Sequence, residues 1–330
     1  MSEAEAIAAR AGLVHRTDDR PGIRRRRRGR GFSYEHDNGR PVAAAARRRI
    51  ATLAIPPAWR DVWIAPEGNA HLQATGFDAA GRKQYRYHPD WTEATAVEKF
   101  QRLAAIAEHL PDLRKQVAAD LETDGPARPV ATVVRLIDRA LIRPGSGRSS
   151  EAVGATTLEV GHIEIEQGRI VLDFVGKSAV EQHVEIDDPD LAAALTALLA
   201  RSTLEDVQVF AACVDGAVNA SRVNRYLAEC TDSTVTAKDL RTWGATAAAV
   251  ECLCDPPSCT DRPSDPVRRM LEDVSGLLGN TVAVCRTSYV APVVVDAFAD
   301  GTLEAAWRDS RKSRWLSRPE RTLTRVLTGG

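Results

Sequence analysis

The sequence pattern changes near residue 90, and this change limits the chain to folds with two unlike parts. Before it, short stretches of alternating apolar and polar residues are separated by turn residues, which is typical of a small antiparallel sheet. Beyond it, apolar residues recur at helical spacing. A chain of 330 residues, 44% of them hydrophobic, can bury a core in each part. We therefore predict an α+β protein with domains at residues 1–91 and 92–330.

The N-terminal domain is predicted to be rich in β-strands after an irregular start. Its first 45 residues include the stretch PGIRRRRRGRGF, in which charges and glycines leave little to pack. Residues 1–45 are therefore predicted to be partly irregular. The strands are predicted at residues 62–64, 71–76 and 83–88.

The second domain is predicted to be mainly α-helical with one short sheet. Alternation around Gln167-Gly168 predicts a hairpin within residues 162–177, and residues 181–186 predict a third strand. Helices are predicted at residues 92–110, 112–122 and 131–143. Three further helices are predicted from their caps. They begin at Asp187 or Asp188, at Thr236 with Asp239 as a capping box, and at Ser264 or Asp265 before Pro266, and the last of them ends at Gly279.

Charge is distributed unevenly along a chain whose net charge is only −1. Residues 16–49 contain twelve arginines and four acidic residues, and residues 308–325 contain seven cations and two acidic residues. Residues 151–206, in contrast, contain twelve acidic residues and three basic ones. Basic blocks in a nearly neutral chain indicate a polyanionic partner, although such a run is also typical of a solvated surface.

Several classes of protein are disfavoured by what the sequence lacks. The N-terminus has no apolar core of a signal peptide, and no apolar run approaches the roughly 20 residues that span a bilayer. The six cysteines show no extracellular pattern, and Cys252, Cys254 and Cys259 lack the second pair that a zinc site needs. No GxxxxGK[ST] phosphate loop occurs. We therefore expect a cytoplasmic protein with no membrane partner, metal or nucleotide cofactor.

Five polar residues in the second domain could carry chemistry. Tyr289 is a candidate nucleophile, but a tyrosine hydroxyl has a pKa of about 10 and is useful mainly against an ester flanked by fixed cations, such as a phosphodiester. The five residues are Arg143, Lys177, Arg241, Asn280 and Tyr289. Taken alone, each also has a structural interpretation: Arg143 as a cation at a helix end, Lys177 as a solvated lysine, Arg241 as a surface arginine, Asn280 as a helix cap and Tyr289 as a core tyrosine.

Taken together, these residues resemble a known catalytic set. The order Arg, Lys, Arg, polar donor, Tyr along a helical domain with one hairpin is similar to that of type IB DNA topoisomerases and tyrosine recombinases. Residues 21–34, 55–91, 238–243 and 278–289 resemble the bacterial and poxviral type IB topoisomerases in particular. The resemblance extends from about residue 12 to residue 292. It implies the DNA breaking-rejoining fold of these enzymes and an N-terminal domain that closes a clamp around DNA.

The resemblance also implies a role for each candidate residue. Tyr289 would attack a backbone phosphorus to give a 3′-phosphotyrosine, and Lys177 would protonate the departing 5′ oxygen. Arg143 and Arg241 would hold the non-bridging oxygens. Asn280, where poxviral enzymes have histidine, would donate a hydrogen bond without exchanging a proton. Such an isomerase relaxes supercoils as a monomer, without ATP or metal.

Double-stranded DNA is the partner that the resemblance implies, in the setting of a bacterial nucleoid. The run at residues 24–28 is interpreted as non-specific phosphate contact, or equally as a disordered tail. The strand that faces the major groove in the family matches a run of alternating aromatic and cationic residues here, although a half-buried sheet edge gives the same pattern. The predicted DNA-binding residues are Arg82, Lys83, Gln84, Tyr85, Arg86 and Tyr87.

Two alternatives to an active topoisomerase remain open from the sequence. A site-specific tyrosine recombinase shares the chemistry, but the segment 55–91 argues against it. A DNA-binding relative with a weakened active site is the second alternative, because acidic residues are dense in 151–206, close to Lys177 in sequence.

Overall fold

The computed structural model describes residues 2–29, 31–145, 152–200, 207–211, 213, 216–231, 235–256 and 265–329. Glu151, Cys259 and Ser264, which entered the sequence analysis, lie outside these ranges. The chain divides into two compact units, Met1–Lys99 and Phe100–Gly330.

The first unit is built on a five-stranded antiparallel sheet with the strand order β2-β1-β3-β4-β5. Strand β4 is buried along most of its length, whereas β5, at one edge of the sheet, is mostly exposed. The elements of this unit are α1 (Glu3–Arg10), β1 (Ile23–Arg28), β2 (Gly31–His36), α2 (Ala44–Thr52), β3 (Arg60–Ile64), β4 (Leu72–Phe77) and β5 (Lys83–Tyr87), followed by the start of α3 (Pro89–Glu122).

The arginine-rich segment forms the hairpin β1–β2, so the prediction of an irregular start is wrong there. The arginine side chains find partners that the sequence does not reveal. Arg25 is half-buried and donates hydrogen bonds to backbone carbonyls, among them that of Trp59 at 2.6 Å. Across the hairpin, Arg26 pairs with Glu35 at 2.7 Å. Backbone pairing and these contacts together order a segment that cannot form an apolar core of its own.

The core of this unit lies between the sheet and α2. Ile23, Ile50 and Ile64 are each at most 2% exposed and pack in one cluster with Val62 and Ala74. The alternation of β-strand side chains places Arg24, Arg26 and Arg28 on the face opposite the buried Ile23, whereas Arg25, on the same face as Ile23, donates to backbone carbonyls. The strands predicted at 62–64, 71–76 and 83–88 correspond to β3, β4 and β5.

The second unit is mainly helical and carries a three-stranded antiparallel sheet in the order β6-β7-β8. The predicted hairpin at Gln167-Gly168 and the predicted third strand are both present. The elements that follow α3 are α4 (Arg128–Ala140), β6 (Ile163–Glu166), β7 (Arg169–Val175), β8 (Glu181–Asp187), α5 (Pro189–Leu199), α6 (Ala220–Thr231), α7 (Ala237–Cys254), α8 (Pro266–Leu278), α9 (Val282–Ser288), α10 (Pro292–Ala299), α11 (Thr302–Asp309) and α12 (Arg318–Thr328). The predicted α+β class is confirmed.

Two helix predictions need correction. Residues 92–110 and 112–122 form one helix, α3, with Pro111 inside it. Leu110 and Leu113 are buried on either side of the proline, so packing offsets the hydrogen bond that it removes. Helix α4 ends at Ala140 rather than at residue 143, because Leu141 adopts the left-handed conformation with φ of 51°. Arg143 therefore lies in the segment after the helix.

The predicted starts of α5, α7 and α8 and the predicted end of α8 are confirmed by their caps. Asp188 caps α5 by accepting a hydrogen bond from the backbone of Leu191. Thr236 and Asp239 form the capping box of α7. Asp265 caps α8, which Gly279 terminates with φ of 58°, a conformation that favours glycine.

Within the described part of the chain, no single helix is long and apolar enough to cross a membrane. Helices α9 (Val282–Ser288) and α10 (Pro292–Ala299), which meet at a bend of 92°, reach that length and apolar composition when the two are taken together.

A buried ionic network joins distant parts of the second unit. Arg114 on α3 is 8% exposed and donates to both carboxylate oxygens of Asp138 at 2.8 Å. It also binds Glu320 at 2.7 Å, and Trp243 donates to the same carboxylate at 3.0 Å. Burial by itself raises the pKa of both carboxyls, but Arg114 more than offsets it, so that each pKa lies below its usual range.

Replacement of this arginine is expected to be strongly destabilising. Arg114→Met leaves Asp138 and Glu320 as buried carboxylates without their cation, and breaking such a pair costs about 3–5 kcal/mol. Urea denaturation of the two proteins measures the change in the free energy of unfolding. Arg268→Met is the control, because Arg268 pairs with Glu272 on an exposed helix face and is expected to contribute less than about 1 kcal/mol. Equal losses in the two variants would contradict the network's role.

Candidate active site

Arg241 and Tyr289 form a buried hydrogen-bonded pair. Arg241 lies in the second turn of α7, is 3% exposed, and donates from Nη1 to the Tyr289 hydroxyl at 2.9 Å. Its Nε donates to the backbone carbonyl of Leu141 at 2.6 Å. The guanidinium carbon also lies 5.1 Å from the centre of the tyrosine ring. The arginine is therefore fixed from two sides by the end of α4 and by the tyrosine.

The remaining terminal nitrogen of Arg241 is buried and has no hydrogen-bond partner among the described residues. A buried, unsatisfied N–H donor is costly, and an anion that accepts from it removes that cost. Burial lowers the pKa of Arg241, and the nearby positive charge of Arg143 lowers it further, although Tyr289 opposes the shift. Burial and the neighbouring positive charge both make the charged guanidinium less favourable, and a negatively charged oxygen bound at this nitrogen offsets both.

Tyr289 is held in place through its backbone. It follows the last residue of α9, and its N–H donates to the carbonyl of Cys285 at 2.9 Å. Its carbonyl accepts a hydrogen bond from Thr246 Oγ1 at 2.8 Å. With 6% exposure, the tyrosine is buried as a whole.

Arg143 and Asn280 form a second pair. Arg143 Nη2 donates to Oδ1 of Asn280, and Nδ2 of Asn280 is buried without a partner among the described residues. Asn280 directly follows Gly279, and its backbone N–H donates to Ser275 at 3.0 Å. The amide orientation that places oxygen toward the arginine leaves two N–H donors for a further acceptor.

The backbone of Arg143 is also fixed, although residues 146–151 are not described. Ala155 donates to the carbonyl of Arg143 at 2.8 Å, and Thr156 donates to that of Pro144 at 2.9 Å. The segment after α4 is thus anchored by a buried turn at residues 155–157.

Lys177 is exposed and begins a short 3₁₀ turn, Lys177–Ala179, between β7 and β8. It lines the same cleft as Arg143 and Gly279. The structure therefore brings the five predicted residues together. Four of them form two hydrogen-bonded pairs, and the positive charge of Arg143 lowers the pKa of Arg241 in the other pair. The fifth, Lys177, lies on the cleft beside Arg143. Their catalytic roles stay predictions.

The sequence analysis missed the groups that hold these residues. The Leu141 carbonyl and the Thr246 hydroxyl fix Arg241 and Tyr289, and Gln182 lines the cleft. One signal was available in the helical run RTWGATA. A Cβ added at Gly244 would lie 2.3 Å from the Leu141 side chain, so a glycine inside α7 marks the close approach of the end of α4.

The predicted DNA-binding strand separates into two faces. Lys83, Tyr85 and Tyr87 alternate onto one face of β5. The two tyrosine rings stack with centroids 6.0 Å apart and are 47% and 45% exposed. Lys83 Nζ lies 5.6 Å from the Tyr85 ring and pairs with Asp18 at 2.6 Å, a contact that raises the pKa of the lysine.

The other predicted residues are engaged within the unit. Gln84 and Arg82 both donate to Asp78, each at 2.9 Å. Arg86 lies 5.9 Å from the Trp59 ring. Lys83 is likewise paired, and its side chain is 38% exposed against 74% for Arg82, so the feature that distinguishes the first face is its two exposed tyrosine rings. The role of all six residues stays a prediction.

Replacing Lys83 is expected to weaken binding to duplex DNA of any sequence. A lysine that neutralises one phosphate releases about one counterion, so Lys83→Gln is expected to reduce the slope of log affinity against log salt by about 1. Fluorescence anisotropy with a labelled duplex at several salt concentrations measures this slope. Lys115→Gln, at an exposed position on α3, is the control. An unchanged slope for Lys83→Gln would exclude Lys83 from the phosphate contacts.

At least three of the twelve acidic residues in 151–206 are paired with basic side chains in the second unit. Asp188 binds Arg135 at 2.7 Å and also caps α5. Asp173 pairs with His183 at 2.7 Å, and Glu185 contacts the same histidine at 3.5 Å. These carboxylates therefore repel a polyanion less than the sequence count indicates.

Comparison with known proteins follows the same division of the chain. Residues 88–288, more than half of the chain, match the family described as eukaryotic DNA topoisomerase I, catalytic core. Residues 31–78 match the N-terminal domain of bacterial DNA topoisomerase IB. The DNA topoisomerase 1B of Acanthamoeba polyphaga mimivirus is 28% identical over 293 residues, which cover 84% of this chain and 87% of that protein.

Two solved structures of a recombinase are more distant. The XerH site-specific recombinase bound to a palindromic difH substrate in a post-cleavage complex gives a TM-score of 0.40 at 17% identity, covering 61% of this chain. Its pre-cleavage complex gives 0.37 at 16% identity, covering 55%. The chain spans about half of these recombinase chains, 52% and 47%. A TM-score below 0.5 does not establish a shared fold.

Proposed function

The chain belongs to the type IB DNA topoisomerase family, and from this premise we propose that it relaxes supercoiled DNA by transient cleavage of one strand. One strand is cut through a 3′-phosphotyrosine at Tyr289, the free 5′ end rotates about the intact strand, and the reverse reaction reseals the nick. DNA is the substrate of the family as a whole, whereas each step of this sequence is our proposal for this chain.

In the cleavage step, a bond forms between the Tyr289 hydroxyl oxygen and phosphorus while the bond from phosphorus to O5′ breaks. The phenolic proton passes to water, and the ammonium group of Lys177 gives its proton to O5′. Religation reverses these transfers. Because one phosphodiester replaces another of similar energy, the cycle needs neither ATP nor a metal to drive it.

One observation carries this proposal: a single buried guanidinium contacts the hydroxyl of Tyr289 and keeps a free donor. Arg241 Nη1 binds the phenolic oxygen at 2.9 Å, and Nη2 is unsatisfied among the described residues. The same group can therefore stabilise the attacking oxygen as its proton leaves and hold a non-bridging oxygen as charge grows on it. A buried position strengthens both interactions.

The pair of Arg143 and Asn280 supplies a second set of donors. Asn280 holds Arg143 through Oδ1 and retains its unsatisfied Nδ2 donors for a phosphate oxygen. Arg143 can bind the phosphate in a bidentate fashion from the mouth of the cleft that it shares with Lys177. This arrangement supports charge stabilisation on both non-bridging oxygens.

DNA would be held by basic surface on both units. On the second unit, residues 308–325 supply exposed cations that form no ion pair with a described carboxylate: Arg308, Arg311, Lys312 and Arg314. These groups and the exposed face of β5 fit a polyanion. We further propose that the protein acts as a monomer, with a clamp around the duplex, on the DNA of a bacterial nucleoid.

Plasmid relaxation in EDTA without ATP tests the proposed function. We expect the protein to relax positively and negatively supercoiled plasmid alike, because strand rotation has no preferred direction. A protein that binds plasmid without nicking it would be a DNA-binding relative instead. Activity only on plasmids that carry two copies of a specific site would indicate a recombinase.

A further inference from the structure

Gln182 lies between two turns, each of which carries a candidate catalytic residue. It stands on β8 opposite Phe174 of β7 and lines the cleft with Arg143 and Lys177. A Cβ added at Gly279, the residue before Asn280, would lie 2.6 Å from Nε2 of Gln182. The half-buried side chain thus packs directly against this turn.

The same side chain also packs against the turn that carries Lys177. A Cβ added at Gly176, the residue before Lys177, would lie 3.2 Å from Cγ of Gln182. This turn is closed by a hydrogen bond from Gly176 N–H to the carbonyl of Val180 at 2.8 Å. Ala179 within it has φ of 56°, a left-handed conformation that is unfavourable for a residue with a Cβ.

A strained turn with an exposed lysine needs outside support to hold one position. Gln182 provides this support by packing against Gly176. Its side chain also packs against Gly279, whose neighbour Asn280 is hydrogen-bonded to Arg143. The amide is itself restrained, because Nε2 donates to the carbonyl of Glu181 at 3.1 Å.

We propose that Gln182 is a positioning residue that sets Lys177 at the correct distance from the phosphate bound by Arg143 and Asn280. This inference rests on the proposed function. Gln182 acts through Lys177: with a shorter side chain, the lysine turn shifts relative to the Gly279–Asn280 turn, and proton transfer to O5′ slows. Misplacement of a reacting group by about 1 Å costs on the order of 100-fold in rate.

The test compares two leaving groups in single-turnover cleavage of a duplex. One substrate carries the ordinary phosphodiester, and the other carries a 5′-bridging sulfur, which departs as a thiolate and needs no proton from an acid. Gln182→Ala is expected to cleave the ordinary substrate about 10- to 100-fold more slowly than the wild-type protein and the sulfur substrate at close to the wild-type rate. Lys177→Ala is expected to show the same pattern with a larger loss.

Two further variants separate positioning from general damage. Gln182→Met retains the side-chain length and is expected to restore most of the rate, whereas the double variant Gln182→Ala/Lys177→Ala is expected to be no slower than Lys177→Ala alone, because coupled residues are not additive. Gln116→Ala, on an exposed glutamine of α3, is the control for the fold.

Equal slowing of Gln182→Ala on both substrates would overturn the inference, as would a wild-type rate on the ordinary substrate or a Gln182→Met variant as slow as Gln182→Ala. Failure of the wild-type protein to cleave either substrate would instead overturn the proposed function, and the inference with it.

Discussion

Tyr289→Phe is expected to abolish plasmid relaxation and to leave duplex binding unchanged. The substitution removes only the oxygen that would attack phosphorus, while the ring keeps its place beside Arg241 and the backbone bonds to Cys285 and Thr246 remain. No other group in the described site offers an equivalent nucleophile at hydrogen-bond distance from Arg241. Agarose gel electrophoresis of a supercoiled plasmid measures relaxation, and anisotropy with a labelled duplex measures binding.

Tyr226→Phe is the matched control for this prediction. Tyr226 is also a mostly buried tyrosine of the second unit, and its hydroxyl binds Asp120 at 2.6 Å rather than the site. It is expected to lose some stability, about 1 kcal/mol, and to retain relaxation. If Tyr289→Phe still relaxed plasmid, the attacking group would have to be sought elsewhere.

Arg241→Ala is expected to slow strand cleavage by about 10²–10³-fold, the usual cost of removing a preorganised donor from developing negative charge. Here one side chain supplies a donor to the tyrosine and a free donor at Nη2. Arg241→Lys is expected to recover little of the rate, because an ammonium group cannot reach the Leu141 carbonyl, the phenol and a phosphate oxygen with the same planar fork. Single-turnover cleavage of a duplex measures both variants.

Thermal unfolding must accompany these rates, because Arg241 also ties α7 to the end of α4 through Leu141. Arg268→Ala, on the exposed face of α8, is the control and is expected to cleave at the wild-type rate. A wild-type rate for Arg241→Lys would show that the site needs only a positive charge at this position, and the forked geometry would lose its role.

Local features of the structure were predictable because their causes lie within a few residues. The capping box of Thr236 and Asp239 and the cap at Asp265 each involve neighbours three positions apart or fewer. The hairpin at Gln167-Gly168 follows from alternation and a turn in the same short segment. These patterns, with the resemblance in residues 55–91, were enough for the α+β class and for the family, and both are confirmed.

Features that depend on distant partners were not predictable from local pattern. Arg25 lies in a charged run that reads as disordered, yet its guanidinium bonds a carbonyl 34 residues away. Arg143 meets Asn280 across 137 residues, and only the family resemblance placed them in one site. Gln182 carried no signal at all, because its approach to Gly176 and to Gly279, which is 97 residues away in the chain, is visible only in three dimensions.

The most direct test of the account is the identity of the covalent bond between protein and DNA. A duplex with a nick placed to let the downstream fragment, which leaves with a free 5′-hydroxyl, escape after cleavage traps the intermediate, and mass spectrometry of the digested adduct locates the attachment. We predict a single adduct in which a DNA 3′-phosphate is joined to the oxygen of Tyr289. Attachment at another residue, linkage through a 5′-phosphate, or plasmid relaxation without any adduct would contradict it.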